Sequence, residues 1–166
     1  MKTFKSKLRE VTAVYKTSPS IQNVKITNSK DVNDFIRTVY PVEINIREAM
    51  LVLYLNNSNR TLGYSIAGIG GITATLVDVR LILRDALLTQ STNIIMVHNH
   101  PSGSLAPSEA DKQITDKVKK AAEVMDIKLL DHLILTEDSY YSFAEYGVLN
   151  GKRCELSATN LEHWDK

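Results

Sequence analysis

Two histidines one residue apart, followed after a short loop by a carboxylate, are the residues of this 166-residue chain best suited to do chemistry. They lie in His98-Asn99-His100-Pro101 and Ser108-Glu109-Ala110-Asp111. In extended backbone, residues two apart project to the same side, so His98 and His100 can present both imidazoles to one point. Pro101 cannot donate a ladder hydrogen bond and Gly103 favours a turn, so the strand ends there in a loop. Ser108 and Asp111 share one face of the first turn of the helix that follows. Two imidazoles and a carboxylate form a nitrogen and oxygen set that suits Zn²⁺ at about 2.0–2.2 Å per ligand, leaving a fourth position for water. Water held there has its pKa lowered to roughly 7, which supplies a hydroxide nucleophile near neutral pH.

Plainer readings exist for each half. Ser-x-x-Asp is also a helix capping box, and residues 108–111 would cap a helix with no metal present. Two histidines at a strand end can be satisfied by backbone carbonyls. The two halves together, at fixed spacing, are far rarer by chance than either alone.

Around this segment the pattern predicts mixed strands and helices. Ser29-Lys30-Asp31 introduces Val32, Phe35, Ile36 and Val39, spaced for an amphipathic helix that stops at Pro41. Residues 49–55 are a continuous apolar run, 56–59 a hairpin turn and 62–67 the returning strand. Gly68, Gly70 and Gly71 then break the pattern as a flexible turn, without the spacing of a dinucleotide-binding loop. Residues 76–88 read as a helix with Leu76, Val79, Leu83, Ala86 and Leu87 on one stripe. Residues 93–97 form a short buried strand running into His98. A long helix from Ser108 to about Met125 buries Ile114, Val118, Ala121, Ala122 and Met125. Strands follow over 127–135 and 139–143. The absence of a regular βαβ rhythm favours an α/β sandwich over a doubly wound nucleotide fold.

Length and composition fit one domain over residues 25–150, with a basic arm or linker over 1–24 and a polar tail over 151–166. Apolar residues make up 43% and charged residues 23%, with 20 Lys+Arg against 19 Asp+Glu, a net charge of +1. That balance gives no support for a protein-wide nucleic-acid or membrane surface. Cys154 is the single cysteine, which excludes an intrachain disulfide and a Cys-built zinc finger and suits a reducing compartment. No apolar run approaches a membrane span, and the expectation is a soluble cytoplasmic protein.

The His-x-His-Pro, seven-residue gap, Ser-x-x-Asp pattern resembles the JAMM signature of the JAB/MPN metalloproteases. The fuller His98-Asn99-His100-Pro101-Ser102-Gly103, with residues 129–134 (Leu-Leu-Asp-His-Leu-Ile) and 142–145 (Ser-Phe-Ala-Glu), is similar to the bacterial RadC family. The similarity runs from Ile26 to Leu149. It implies a cytidine-deaminase-like α/β architecture, a mixed sheet between helices, and a zinc peptidase or isopeptidase acting on a peptide or protein.

By the same resemblance, an upstream glutamate acts as general base. Glu48, in Arg47-Glu48-Ala49-Met50, matches that position, with Glu43 as the nearby competitor. Ser108 would help stabilise an oxyanion. Asp131 and His132, on opposite faces of a strand, read as structural or supporting residues rather than ligands. Two departures stand out. The residues before Lys25 are too few for the helix-hairpin-helix region of longer RadC proteins, and Val79-Arg80-Leu81 replaces a Pro-Arg-Glu segment. The alternatives are a DNA repair or recombination accessory protein of the RadC type, and a metal-binding module without turnover.

Overall fold

The structure, a computed structural model, describes residues 23–70 and 77–150. The arm through residue 22, Gly71, Leu76 and the tail from residue 151 with Cys154 lie outside the described residues.

All seven residues of Ala49–Leu55 (β1) are buried. A strand without polar alternation needs cover on both faces, and β1 has it. It lies second in a five-stranded sheet that also contains β2 (Thr61–Ile69), β3 (Asn93–Asn99), β4 (Lys128–Leu135) and β5 (Tyr140–Ser142), in the order β2-β1-β3-β4-β5. Only β3 and β4 are parallel; the other neighbours are antiparallel. This is a mixed sheet flanked by helices.

Side-chain alternation divides the core in two. Leu51, Leu53, Val97 and Leu133 point to one face, where α1 (Ser29–Arg37) covers them with Val32 and Ile36. Met50, Val52, Ile94 and Met96 point to the other. There α2 (Val79–Leu88) supplies Val79, Ile82 and Ala86, and α3 (Glu109–Glu123) supplies Val118 and Ala122. Burying one such aliphatic side chain stabilises the fold by about 1.5–3 kcal/mol.

Several boundaries differ from expectation for physical reasons. The strand expected over 62–67 extends through Gly68, which pairs with Met50, because a register shift between Met50 and Leu51 absorbs an extra residue as a bulge. This carries Gly70 alongside Glu48, and its N–H donates to the Glu48 carbonyl at 2.8 Å. The helix expected from 76 begins at Val79, since the Asp78 side chain accepts from the Arg80 N–H as N-cap. Leu87, expected on its inner stripe, is 53% exposed, and Ile82 takes the inward place. In α3 the buried stripe is Asp111, Thr115, Val118 and Ala122. Ile114 and Ala121 are only partly buried, and Met125 lies beyond the helix and exposed. The inward stripe opens with two polar residues, which apolar periodicity cannot register. β3 runs two residues past the expected Val97 and includes His98.

On the α1 face of β4 sits Asp131, 6% exposed. It accepts from Ser142 Oγ at 2.6 Å and from the backbone N–H groups of His132 and Ala144 at 2.7 and 2.9 Å. Burial outweighs these bonds and pushes its pKa up to about 6 from 3.8. As pH rises between those values the unfolded chain ionises first, so stability falls across that window. Above it a cost of about 3 kcal/mol persists. An asparagine side chain at this position keeps an acceptor for both amides and turns its NH₂ toward Ser142 Oγ. Asp131→Asn is therefore expected to flatten the pH dependence of urea unfolding between about pH 4 and 6, and to exceed the parent stability at pH 7. An unchanged pH profile would refute this account.

Candidate metal centre

His98 and His100 straddle the C-terminal end of β3, where the parallel pair β3–β4 opens into a loop. Ligand sites in α/β sheets favour such ends. The His100 N–H still bonds to the Leu135 carbonyl at 2.9 Å, which holds the strand direction one residue past β3. The chain then turns: Gly103 adopts φ +76, a conformation that suits glycine, and its N–H donates to the His100 carbonyl at 3.0 Å. The loop returns at Ser108, the N-cap of α3.

Three donor atoms converge there. His98 Nε2 lies 2.9 Å from His100 Nε2 and 3.1 Å from Asp111 Oδ1, and His100 Nε2 lies 3.4 Å from Asp111 Oδ2. A tetrahedral ion with bonds of ~2.0–2.1 Å separates its donors by about 3.3 Å, so the spacing fits. These residues can hold a metal ion, and they form the one such cluster among the described residues. His100 is oriented by its own Nδ1–H, which donates to the Ser104 carbonyl at 2.7 Å and leaves the Nε2 lone pair facing the cluster.

The capping box and the carboxylate of this cluster are one arrangement. Asp111 Oδ2 accepts from the Ser108 N–H at 2.7 Å and from Ser108 Oγ at 2.6 Å, while the Asp111 N–H donates back to Ser108 Oγ at 3.1 Å. The cap fixes the carboxylate as it faces both rings. Burial raises the Asp111 pKa, but the facing rings of His100 and His98 and the hydrogen bond from Ser108 overcome this and hold it well below the usual carboxylate range. The Asp111 carboxylate facing its Nε2 in turn raises the His100 pKa.

Continuing the β1–β3 register from Met50 opposite His98 puts Glu48 opposite His100. Glu48 is half-buried, and its charge acts on both His100 and Tyr40. Glu43 is exposed.

A model of the RadC-like JAB domain matches residues 26–148. The chain belongs to this family. A UPF0758 protein of Flavobacterium johnsoniae is 48% identical over 124 residues, covering 75% of this chain and 53% of that protein. One from Chlorobaculum parvum is 36% identical over 149 residues, covering 87% and 66%, and one from Aquifex aeolicus 37% over 126, covering 76% and 53%. The chain thus spans about half to two thirds of the length of these relatives. Their names state no activity.

One feature of this JAB domain, Asn99, left no mark in the sequence pattern. Asn99, between His98 and His100, is fully buried and is hydrogen-bonded through both amide N–H groups and its carbonyl oxygen. Its Nδ2 donates to the Ile44 and Arg47 carbonyls at 2.6 and 2.7 Å. Its Oδ1 accepts from the Ala49 N–H at 2.8 Å and lies 2.8 Å from the Tyr40 hydroxyl. Asn99 thereby ties the segment bearing Glu48 to the ligand strand. His132, expected as a supporting residue, touches the cluster directly. Its Nε2 lies 2.8 Å from His98 Nδ1, its Nδ1 2.6 Å from Thr115 Oγ1, and Phe143 stacks on its ring.

Proposed function

We propose that the chain is a zinc-dependent metallohydrolase that cleaves an amide bond in a peptide or protein, as a peptidase or isopeptidase. The observation that carries this reading is the convergence of His98, His100 and Asp111 beside the charge of Glu48. Two imidazoles and a carboxylate suit zinc better than a hard oxygen-seeking cation, and three protein donors leave a position for water. Zinc, when bound, supplies Lewis acidity and a water nucleophile active near neutral pH.

The remaining work falls to the chain's own groups. Glu48 takes the proton from the attacking water and passes it to the departing amine. Asn99 keeps Glu48 in register with His100. Ser108 lies beside Asp111, and its hydroxyl becomes an oxyanion donor when it turns from the carboxylate toward substrate. One cysteine in 166 residues suits a substrate met in the reducing cytoplasm. Among the described residues, no helix is long and apolar enough to cross a membrane.

A DNA-associated accessory role needs an unpaired basic face. The chain's net charge of +1 lends such a face no support. The hydrolase reading is tested by incubating the zinc-loaded chain with fluorogenic peptides and lysine-linked isopeptides. Cleavage should appear, vanish with chelator and return with zinc. Failure on every amide, with metal content intact, would count against it.

A further inference from the structure

Thr115 and His132 form a chain of hydrogen bonds whose proton directions can be read one by one. The Thr115 hydroxyl lies 2.5 Å from the Asp111 carbonyl oxygen, an approach that needs a proton between them, and a carbonyl only accepts. The single Thr115 proton is therefore spent. At the 2.6 Å contact between Thr115 Oγ1 and His132 Nδ1, the ring nitrogen must then be the donor. The two ring nitrogens of the buried His132 meet Thr115 Oγ1 and His98 Nδ1, neither of them an anion that would hold a second ring proton, so with Nδ1 donating, its Nε2 carries a lone pair. That lone pair faces His98 Nδ1 at 2.8 Å, so the proton there belongs to His98. With its proton on Nδ1, His98 presents an unprotonated Nε2 toward His100 and Asp111.

We infer that Thr115 and His132 are positioning residues of the metal centre: through them the backbone of one ligand, Asp111, fixes the tautomer and ring orientation of another, His98. The chain crosses three elements, from α3 through β4 to β3, and closes a ring. The usual partner of a metal-binding histidine is a carboxylate or a carbonyl. Here a neutral imidazole relays the carbonyl of a co-ligand. The Phe143 ring, stacked 4.7 Å from His132, keeps the relay from rotating. The inference rests on the metal-centre reading and is independent of which bond is cleaved.

Thr115→Val keeps the shape and removes the hydroxyl; Thr115→Ser restores it. Zinc affinity of the full chain, measured by competition with a chromogenic chelator, should fall about 10–100-fold in Thr115→Val and return to within about threefold in Thr115→Ser. A loss shared equally by both variants, or by neither, overturns the inference. Nitrogen-15 NMR of the unaltered protein gives an independent reading. After chelator treatment, His98 and His132 should both carry their proton on Nδ1; an Nε2-protonated His98 overturns the inference even if the variants fail to fold. Should no amide be cleaved while the tautomers and affinities behave as stated, the hydrolase reading fails and the relay stands.

Discussion

Glu48→Gln is expected to retain a full complement of zinc while hydrolysis falls by about 10²–10⁴, a barrier increase of roughly 3–5.5 kcal/mol. The substitution keeps the side chain's length and its capacity to hydrogen bond, and removes only the ability to take a proton. Its backbone position is secured independently of the carboxylate. Gly70 donates to the Glu48 carbonyl, and Asn99 bonds to Arg47 and Ala49 on either side. A loss of turnover in Glu48→Gln therefore reports on proton transfer rather than on a displaced loop. Steady-state rates on the best amide substrate, alongside metal content from plasma mass spectrometry, separate the two. Glu43→Gln, at an exposed position in the preceding turn, should behave as the parent. Equal rates for Glu48→Gln and the parent would remove Glu48 from the mechanism.

Removing a ligand has the second large effect. Either His98→Ala or Asp111→Ala should reduce zinc from about one ion per chain to near none after dialysis, with affinity lost by more than about a hundredfold. The two variants differ in what else they remove. Asp111 is also the third residue of α3 and half of its capping box, so Asp111→Ala should cost roughly 1 kcal/mol of stability beyond the metal's contribution. His98→Ala leaves His132 Nε2 facing a cavity and spares the cap. Urea unfolding with chelator present isolates these terms. Full zinc retention in both variants would mean that the ion binds elsewhere.

How much of this was legible beforehand depended on how local each feature is. The ligand trio could be read because a strand's two-residue period and a helix's first turn place His98, His100 and Asp111 from spacing alone. The seven buried residues of β1 were legible because an unbroken apolar run needs cover on both faces of the sheet. Gly68 misled, since the bulge that keeps it in the ladder is a property of the β1–β2 pair. Asn99 left no mark in the pattern, because its four partners come from a turn and a neighbouring strand some fifty or more positions away. Thr115 did leave one: it lies four residues after Asp111, on the same helix face, and apolar counting passed over it for Ile114. His132 was placed on the correct kind of strand, but its approach to His98 depends on the parallel register of β3 and β4.

The central claim is that His98, His100 and Asp111 grip a single ion. Diffraction from crystals grown with zinc, recorded on both sides of the zinc absorption edge, tests it most directly. An anomalous peak about 2.0–2.2 Å from His98 Nε2, His100 Nε2 and an Asp111 carboxylate oxygen is the expected result. A peak lodged on other side chains, or none where these three meet, would contradict it.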